Sequence, residues 1–346
     1  MNASIQTKAL LWGLAGIGAW TAIKAALAQK RKLDFRGKTV VITGGSRGLG
    51  LELSRLLAKE GANLALCARD ADELDRAKDE LEPFGIAIYT QVCDVTDKLQ
   101  VEHFVENVRQ AIGPVDVLIN NAGIIIVTPY EHATEDDFRD AMDTHFWAAF
   151  YMTNAVLPHM LATPRANRTS RIVNITSIGG KISVPHLLPY TTSKFTIVGY
   201  SEGLRAELQK EGIYVTTICP GLMRTGSPRN ALFKGQHEKE YAAFKISDSL
   251  PFFTMSSTEA ARQIIDACRY GEAERVLTLP AKVGVVLQGV APTLVAETMA
   301  VVNQLLPAPG GIGQQRTTGK NSETTLSESP LTTLTDQAAE RNNELL

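Results

Sequence analysis

The sequence predicts an α/β fold: one domain built on a doubly wound, seven-stranded parallel sheet. Two observations carry that expectation. Short β-branched, apolar runs alternate strictly with helical segments from Lys38 to Leu279. The first of these runs also leads straight into a glycine-rich stretch, Thr43–Gly50, that opens a helix. Strands that stay apolar on both faces belong in a sheet covered by helices on each side.

The elements follow in order. Thr39–Thr43 is the first strand and Leu49–Lys59 the first helix. Asn63–Cys67 is the second strand, and Asp72–Leu81 a charged helix. Ile86–Val92 and Lys98–Ala111 form the next pair, and Val115–Ile119 is a strongly apolar fourth strand. Glu135–Leu161 reads as one long helix, Arg171–Ile175 as a fifth strand, and Tyr190–Glu211 as a helix. Tyr214–Ile218 and Val276–Leu279 complete seven strands. No break in composition divides residues 34–280, so this is one domain.

Three flanking segments differ. Residues 1–33 contain an apolar stretch, 9–28, interrupted only by Lys24 and followed by Lys30, Arg31, Lys32, Arg36 and Lys38. Twenty helical residues reach about 30 Å, the hydrocarbon thickness of a bilayer. A membrane anchor is the favoured expectation, with the basic flank and the remaining chain facing the cytoplasm. A signal peptide and a soluble packed helix compete with it. Residues 281–306 are apolar and helical but carry Pro292 and Glu297, which oppose a second span. They are expected to cover the substrate cleft, meet another subunit or lie on a membrane. Residues 307–346 are rich in Gly, Thr, Ser, Gln and Asn and are expected to be disordered.

Composition narrows the function. With 44% hydrophobic and 21% charged residues the chain is globular. A net charge of -2 argues against a nucleic-acid binder relying on phosphate neutralisation. The four cysteines are far apart and no metal-ligand spacing occurs, so no metal is expected.

The glycine stretch carries the cofactor expectation. In a strand–loop–helix setting, glycines let the backbone approach a pyrophosphate whose charge the helix N-terminus meets. At the end of the second strand an acid would bind a ribose 2′-hydroxyl, whereas an arginine accommodates a 2′-phosphate. Here Ala68 is followed by Arg69, and Arg47 in the loop adds a second positive charge. Together they favour NADP(H) over NAD(H). Asp70, next in line, is the acid that would favour NAD(H) instead.

Catalytic chemistry is expected in Thr176–Lys194. Tyr190 and Lys194 stand at i,i+4 on one helical face, and Ser177 lies thirteen residues before the tyrosine. A nearby ammonium is expected to lower the tyrosine pKa from about 10.

Taken together, Thr43–Gly50, Asn120-Asn121-Ala122-Gly123, Ser177, Tyr190-x-x-x-Lys194 and Pro220-Gly221 resemble the short-chain dehydrogenase/reductase family in order and spacing. The resemblance spans about residues 34–280 and implies a Rossmann-type fold. It also implies that Gly44, Ser46, Arg47, Gly48, Leu49 and Gly50 cradle the cofactor and that Asp94 and Val95 meet its adenine. Asn121, Ala122 and Gly123 would brace the sheet beside it, with Pro220, Gly221 and Thr225 at the nicotinamide end. Tyr190 would be general acid in carbonyl reduction and base in the reverse direction. Lys194 would bind the ribose and tune the tyrosine, and Ser177 would polarise the substrate oxygen. Family members are commonly dimers or tetramers, so a homo-oligomer is an expected partner state.

One position departs from that pattern. Where the family usually has an asparagine supporting a water-mediated relay to the lysine, this chain has His145. His145 is taken to hold that water or relay a proton, against the alternative of a packed helix histidine. Residues 222–255, with Met223, Leu232, Phe233, Tyr241, Phe244, Leu250, Phe252 and Phe253, join Leu187 and Leu188 in suggesting an apolar pocket. A lipophilic ketone, aldehyde or alcohol is therefore the expected substrate. Two rivals stand beside an NADPH-dependent reductase: an NAD-dependent alcohol dehydrogenase, and a dinucleotide-binding scaffold or sensor without turnover.

Overall fold

The computed structural model describes residues 12, 18, 23, 25–164, 168–251 and 253–345. Seven parallel strands form its central sheet: β1 (Thr39–Thr43), β2 (Asn63–Ala68), β3 (Ile88–Val92), β4 (Val117–Asn120), β5 (Arg171–Ile175), β6 (Tyr214–Cys219) and β7 (Glu274–Val276). Their order is β7-β6-β5-β4-β1-β2-β3. The chain therefore reverses direction across the sheet between β1 and β4, which pair with Val40 opposite Val117. A switch of this kind leaves a crevice at the carboxyl ends of the strands, where ligands bind in open α/β sheets.

Strand side chains alternate between two cores. Val40, Ile42, Leu64 and Leu66 face helices α1 (Gly48–Lys59) and α2 (Ala71–Leu81). Val41, Ala65 and Cys67 face the opposite way, toward α3 (Lys98–Ala111). Beyond β4 the chain continues as α4 (Glu135–Met142), a π-helical turn (Asp143–Trp147) and α5 (Ala148–Ala162). The long helix expected over Glu135–Leu161 is thus interrupted at the turn that carries His145. A π-turn inserts an extra residue into the helix and re-aims its side chains, and such turns are frequent at functional sites. α6 (Leu188–Leu208) holds Tyr190 and Lys194, followed by α7 (His237–Ser249) and α8 (Ser257–Arg269).

After β7 the apolar residues 281–306 form two helices, α9 (Leu279–Val290) and α10 (Pro292–Leu305), with Pro292 opening the second. They cover a cavity against the 128–131 and 182–188 loops. Several of their apolar side chains face outward, including Val290 and Leu305.

The expectation of a disordered tail does not hold. Residues 317–318 add an antiparallel strand to Leu232–Phe233, and Thr333–Arg341 forms helix α11. Order here comes from polar pairing more than from apolar burial. Ser322, Ser327, Thr332 and Asn342 are fully buried, and Thr332 Oγ1 donates to the Ser327 carbonyl at 2.9 Å. Buried hydroxyls and amides that are all paired can order a segment whose composition looks unstructured.

The apolar stretch 9–28 lies mostly outside the described residues. Among those described, no helix is long and apolar enough to cross a membrane.

Candidate active site and cofactor cleft

The glycine loop is shaped by close backbone approach. Gly44 has φ +62, and a side chain at Gly50 would lie 2.0 Å from the Gly44 carbonyl oxygen. Only glycine fits either place. The loop is tied to β4: Thr43 Oγ1 accepts from the Asn121 and Ala122 backbone N–H groups at 2.9 and 3.0 Å. Asn121 Nδ2 donates to the Thr43 and Gly44 carbonyls at 3.0 and 3.1 Å. Leu49 is buried in the core behind the loop.

The charges around this loop divide. Ser46 Oγ and Arg47 Nη1 both donate to Glu73, at 2.8 and 2.6 Å, so Arg47 is occupied neutralising a buried carboxylate. Arg69 is exposed and makes no hydrogen bond or ion pair among the described residues. Asp70 caps α2 by accepting from the Glu73 N–H at 2.9 Å. Its carboxylate is thereby committed to the helix N-terminus, where the macrodipole favours it. Asp94 accepts from Thr96 N and Oγ1 at 2.9 and 2.8 Å, and Val95 is buried beside it. Pro220 accepts from the Ile178 N–H at 2.7 Å, which places the β6 end against the segment after Ser177. A side chain at Gly221 would meet Thr278 Oγ1 at 2.4 Å, and Thr225 is buried.

Ser177, Tyr190 and Lys194 come together at the end of β5. Ser177 Oγ accepts from the Gly179 N–H at 3.0 Å, and the Tyr190 ring packs against the same glycine, where an added Cβ would lie 3.2 Å from its Cε1. Lys194 Nζ lies 5.5 Å from the tyrosine ring centre and donates to the Ile175 carbonyl at 3.2 Å. Burial dominates the electrostatics of both groups. It lowers Lys194 to about 7 and raises Tyr190 to about 12, the latter partly offset by Ser177 and reinforced by the Asp248 carboxylate. The expected lowering of the tyrosine is therefore not what the protein does on its own. Desolvation penalises the phenolate, and it also removes much of the positive charge that was to stabilise it.

His145 stands edge-on to Tyr190, with ring centres 5.5 Å apart. The Ile124 N–H donates to Nε2 at 3.2 Å, and Nδ1 meets Ser193 Oγ at 2.7 Å. Ser193 Oγ in turn donates to the Tyr190 carbonyl at 2.7 Å. This network assigns the proton to Nδ1, because Nε2 must accept. Both nitrogens are engaged, and neither is left to hold a water. Burial, with the Lys194 charge second, keeps the ring well below the usual histidine range. A small cavity of about 10 Å³ adjoins His145, Lys194 and Asn120, and Asn120 Oδ1 is buried without a hydrogen-bond partner among the described residues.

The described residues expected to line an apolar pocket divide among several places. Phe233 and Tyr241 pack with Leu187 and Phe244 as a small core of their own, and Phe252 lies outside the described residues. The cavity under α9 and α10 measures about 700 Å³ and takes only Leu188 from the expected set. Ile182, Val295 and Met299 supply apolar wall, and Gln288 and Asn303 add polar groups. Phe233, Tyr241 and Phe244 pack on one another, whereas Phe253 is exposed.

Two features had no clear sequence signal. Asp248 is buried on α7, makes no hydrogen bond or ion pair among the described residues, and is pushed up to about 8 by desolvation. The chain's end, Asn342–Glu344, lies on the glycine loop, with the Asn342 carbonyl accepting from the Gly48 N–H at 2.9 Å.

Comparison with known proteins agrees with this geometry. The short chain dehydrogenase family model matches residues 38–233. Gluconate 5-dehydrogenase of Gluconobacter oxydans is 35% identical over 192 residues, covering 56% of this chain and 73% of its own. Dehydrogenase/reductase SDR family member 7B of Bos taurus is 31% identical over 304 residues, covering 86% and 91%. Among solved structures, L-sorbose reductase from Gluconobacter frateurii, complexed with NADPH and L-sorbose, superposes with a TM-score of 0.63. It shares 27% identity and covers 71% of this chain and 97% of its own. An NADPH-bound short chain oxidoreductase of Pseudomonas aeruginosa, described as containing an atypical catalytic center, gives 0.61 at 26% identity over 70% and 95%. Given the matched model, the identities and the shared Rossmann-type sheet, the chain belongs to the short-chain dehydrogenase/reductase family and is an NAD(P)-dependent oxidoreductase of CH–OH and C=O groups.

Proposed function

We propose that the chain reduces a lipophilic ketone or aldehyde with NADPH, reversibly as an alcohol dehydrogenase. The observation that carries this is the convergence of Ser177 and Tyr190 on Gly179, where an added Cβ would lie 3.4 Å from Ser177 Oγ and 3.2 Å from Tyr190 Cε1, with Lys194 one helical turn from the tyrosine. The residues present suit a dinucleotide: the Gly48 N–H stands at the N-terminus of α1, where it donates to the Asn342 carbonyl, and Gly44 at φ +62 turns the backbone tightly just before it. Bound NADPH supplies the hydride. Free Arg69 supports a 2′-phosphate, and the commitment of Asp70 to its helix removes the acid that would favour NAD(H).

The chain's own residues account for the proton. Ser177 Oγ already accepts from Gly179, so its hydrogen is free to point at a carbonyl oxygen. A tyrosine held near 12 stays protonated at neutral pH, which suits an acid more than a base and supports the reductive direction. We assign His145 a positioning role: it fixes the Ile124 amide and, through Ser193, the first turn of α6. A water on Asn120 Oδ1 would take the place of the relay beside Lys194.

Substrate class follows from the cavity under α9 and α10. Its volume lies within the range of small-molecule sites, and its walls mix Ile182, Val295 and Met299 with Glu131, His186 and Gln304; it adjoins the loop before Tyr190, and Ser177, Tyr190 and Lys194 do not line it. The apolar stretch 9–28 and the outward apolar side chains of α9 and α10 support membrane association of the same chain. Carbonate extraction of the full-length protein from membranes tests that location.

NADPH consumption across lipophilic and polar carbonyls tests the function, with Tyr190→Phe alongside. The variant should lose turnover by about 10²–10⁴-fold while retaining NADPH binding. Turnover of polar carbonyls alone would refute the substrate class. Binding without any turnover in the native protein would leave a scaffold or sensor.

A further inference from the structure

The last residues of the chain occupy the place where the glycine loop would receive a phosphate. The Gly48 N–H at the α1 N-terminus donates to the Asn342 carbonyl at 2.9 Å. Asn343 Nδ2 donates to the Ser46 and Glu73 carbonyls at 3.0 and 3.2 Å. On the opposite wall, Asn342 Nδ2 donates to the Thr225 carbonyl at 3.3 Å and Asn230 Nδ2 donates to Glu344 Oε2 at 3.0 Å. The segment therefore spans the cleft from the loop to the β6 side. Asn343 adopts φ +60, a left-handed conformation that asparagine tolerates, and it turns Glu344 inward. A side chain at Gly48 would lie 2.8 Å from Glu344 Oε1, so the carboxyl fills the space that the absent Cβ leaves open.

We propose that residues 342–344 are an intramolecular ligand of the dinucleotide cleft, a strap that must leave before NADPH binds. This rests on the reading of Ser46–Gly50 as the pyrophosphate cradle. The strap has the right chemistry to compete: carbonyl and carboxyl oxygens meet donors that would otherwise face phosphate oxygens. It is held from outside the cleft by α11, where Asp336 pairs with Lys245 at 2.7 Å and Thr335 Oγ1 meets Ser249 Oγ at 2.6 Å. These anchors lie on α7, so the strap can lift without the whole tail detaching.

Its docking is also poised to be reversible. Glu344 is buried among Arg47, Arg229 and Glu73, and desolvation pushes its carboxyl up to about 8. A carboxyl that must hold a proton or lose its hydration in the docked state binds less tightly than one left in water. The strap thus reduces the fraction of molecules competent for NADPH, and the apparent Kd rises in inverse proportion to that fraction.

The test compares NADPH affinity, by quenching of intrinsic fluorescence, in the full chain, a chain ending at Thr332, and an Asn342→Ala/Asn343→Ala double variant. With the strap docked in nine molecules of ten, truncation tightens Kd about tenfold. The double variant shifts in the same direction and decides the matter if the truncated chain does not fold. Hydrogen exchange provides a second readout: NADPH should raise exchange in residues 342–345 while protecting 44–50. Equal Kd in all three proteins, with exchange in 342–345 unmoved by NADPH, would overturn the proposal. If NADPH binds none of them, the cradle reading fails, and the strap falls with it.

Discussion

Replacing His145 separates a proton relay from a structural clasp. His145→Ala deletes the acceptor of the Ile124 N–H and the partner of Ser193 Oγ, both in a buried setting. The Ile124 N–H loses its acceptor at a cost of about 1–3 kcal/mol, Ser193 Oγ keeps its bond to the Tyr190 carbonyl, and the vacated ring volume adds to the loss. A loss of roughly 3–5 kcal/mol follows, or a fall in Tm of roughly 6–20 °C at the sensitivity of about 2–4 °C per kcal/mol for a domain of this size. The pH dependence has a definite sign. The folded ring resists protonation, so the unfolded chain binds more protons below the reference value of about 6.5, and the native protein loses stability as pH falls through that range. The variant lacks this penalty, so its deficit should narrow between pH 7.5 and 5. Thermal unfolding by circular dichroism across that range, with kcat/KM profiles for His145→Ala and His145→Asn, makes the measurement. A Tm equal to the native protein's, combined with a hundredfold fall in kcat, would refute the clasp and restore the relay.

Two other expectations follow from single side chains. Arg69→Ala should weaken NADPH about 10–100-fold, the worth of a hydrogen bond to a charged group, while leaving NADH nearly unchanged. Equal losses for both cofactors in paired titrations would show that the guanidinium does not read a 2′-phosphate. Asp248→Asn should stabilise the fold at pH 7 by roughly 4 kcal/mol, because a carboxyl held near 8 in the native state costs stability as pH rises above its unfolded value of about 4. That gain should grow from pH 4 to 8. Denaturant unfolding at several pH values measures it, and a flat difference would show that Asp248 finds a partner in solution.

The sheet was legible because each strand is an apolar run bounded by turn residues, and Arg171–Ile175 coincides with β5 residue for residue. The cofactor loop was legible for a different reason: Gly44 and Gly50 stand where no other side chain fits, so geometry leaves its mark in residue type. The π-turn left no such mark. Met142–Trp147 has an ordinary helical composition, and only the packing of His145 against Gly123 and Ser193 shows why the helix gains a residue there. The tail misled because composition reports how much apolar area a segment can bury. It says nothing of whether its hydroxyls and amides find partners on a neighbouring surface, as Thr335 and Asn342 do. The aromatic residues of 222–255 misled in the opposite sense. Hydrophobicity alone does not tell a pocket wall from a satellite core, and Phe233 against Tyr241 is the latter. The tyrosine's acidity depended on a balance that residue spacing does not contain, since burial of both Tyr190 and Lys194 outweighed their proximity.

These pieces join in one chain of contacts running from the glycine loop to the catalytic tyrosine. Asn121 holds Gly44; two residues on, Gly123 lies against the His145 ring; and His145 reaches the Tyr190 carbonyl through Ser193. Gly123 is the narrow point. A methyl group there would lie 3.0 Å from His145 Nε2 and 3.3 Å from Cδ2, closer than ordinary contact, so the ring would have to yield by a few tenths of an ångström. It cannot yield freely, because Ile124 and Ser193 hold it at both nitrogens. The displacement should therefore pass to the first turn of α6 and move the tyrosine hydroxyl relative to Ser177. Misplacement of a reacting group by about 1 Å can cost 10²-fold, so a shift of a few tenths should lower kcat by roughly tenfold. The glycine loop lies on the other side of Asn121 and keeps its own bonds, so NADPH affinity should stay within about twofold, below 0.5 kcal/mol. Single-turnover kinetics and NADPH titration of Gly123→Ala test both halves together. A loss of affinity with kcat intact would place the coupling on the cofactor side and break the argument that His145 transmits position to Tyr190.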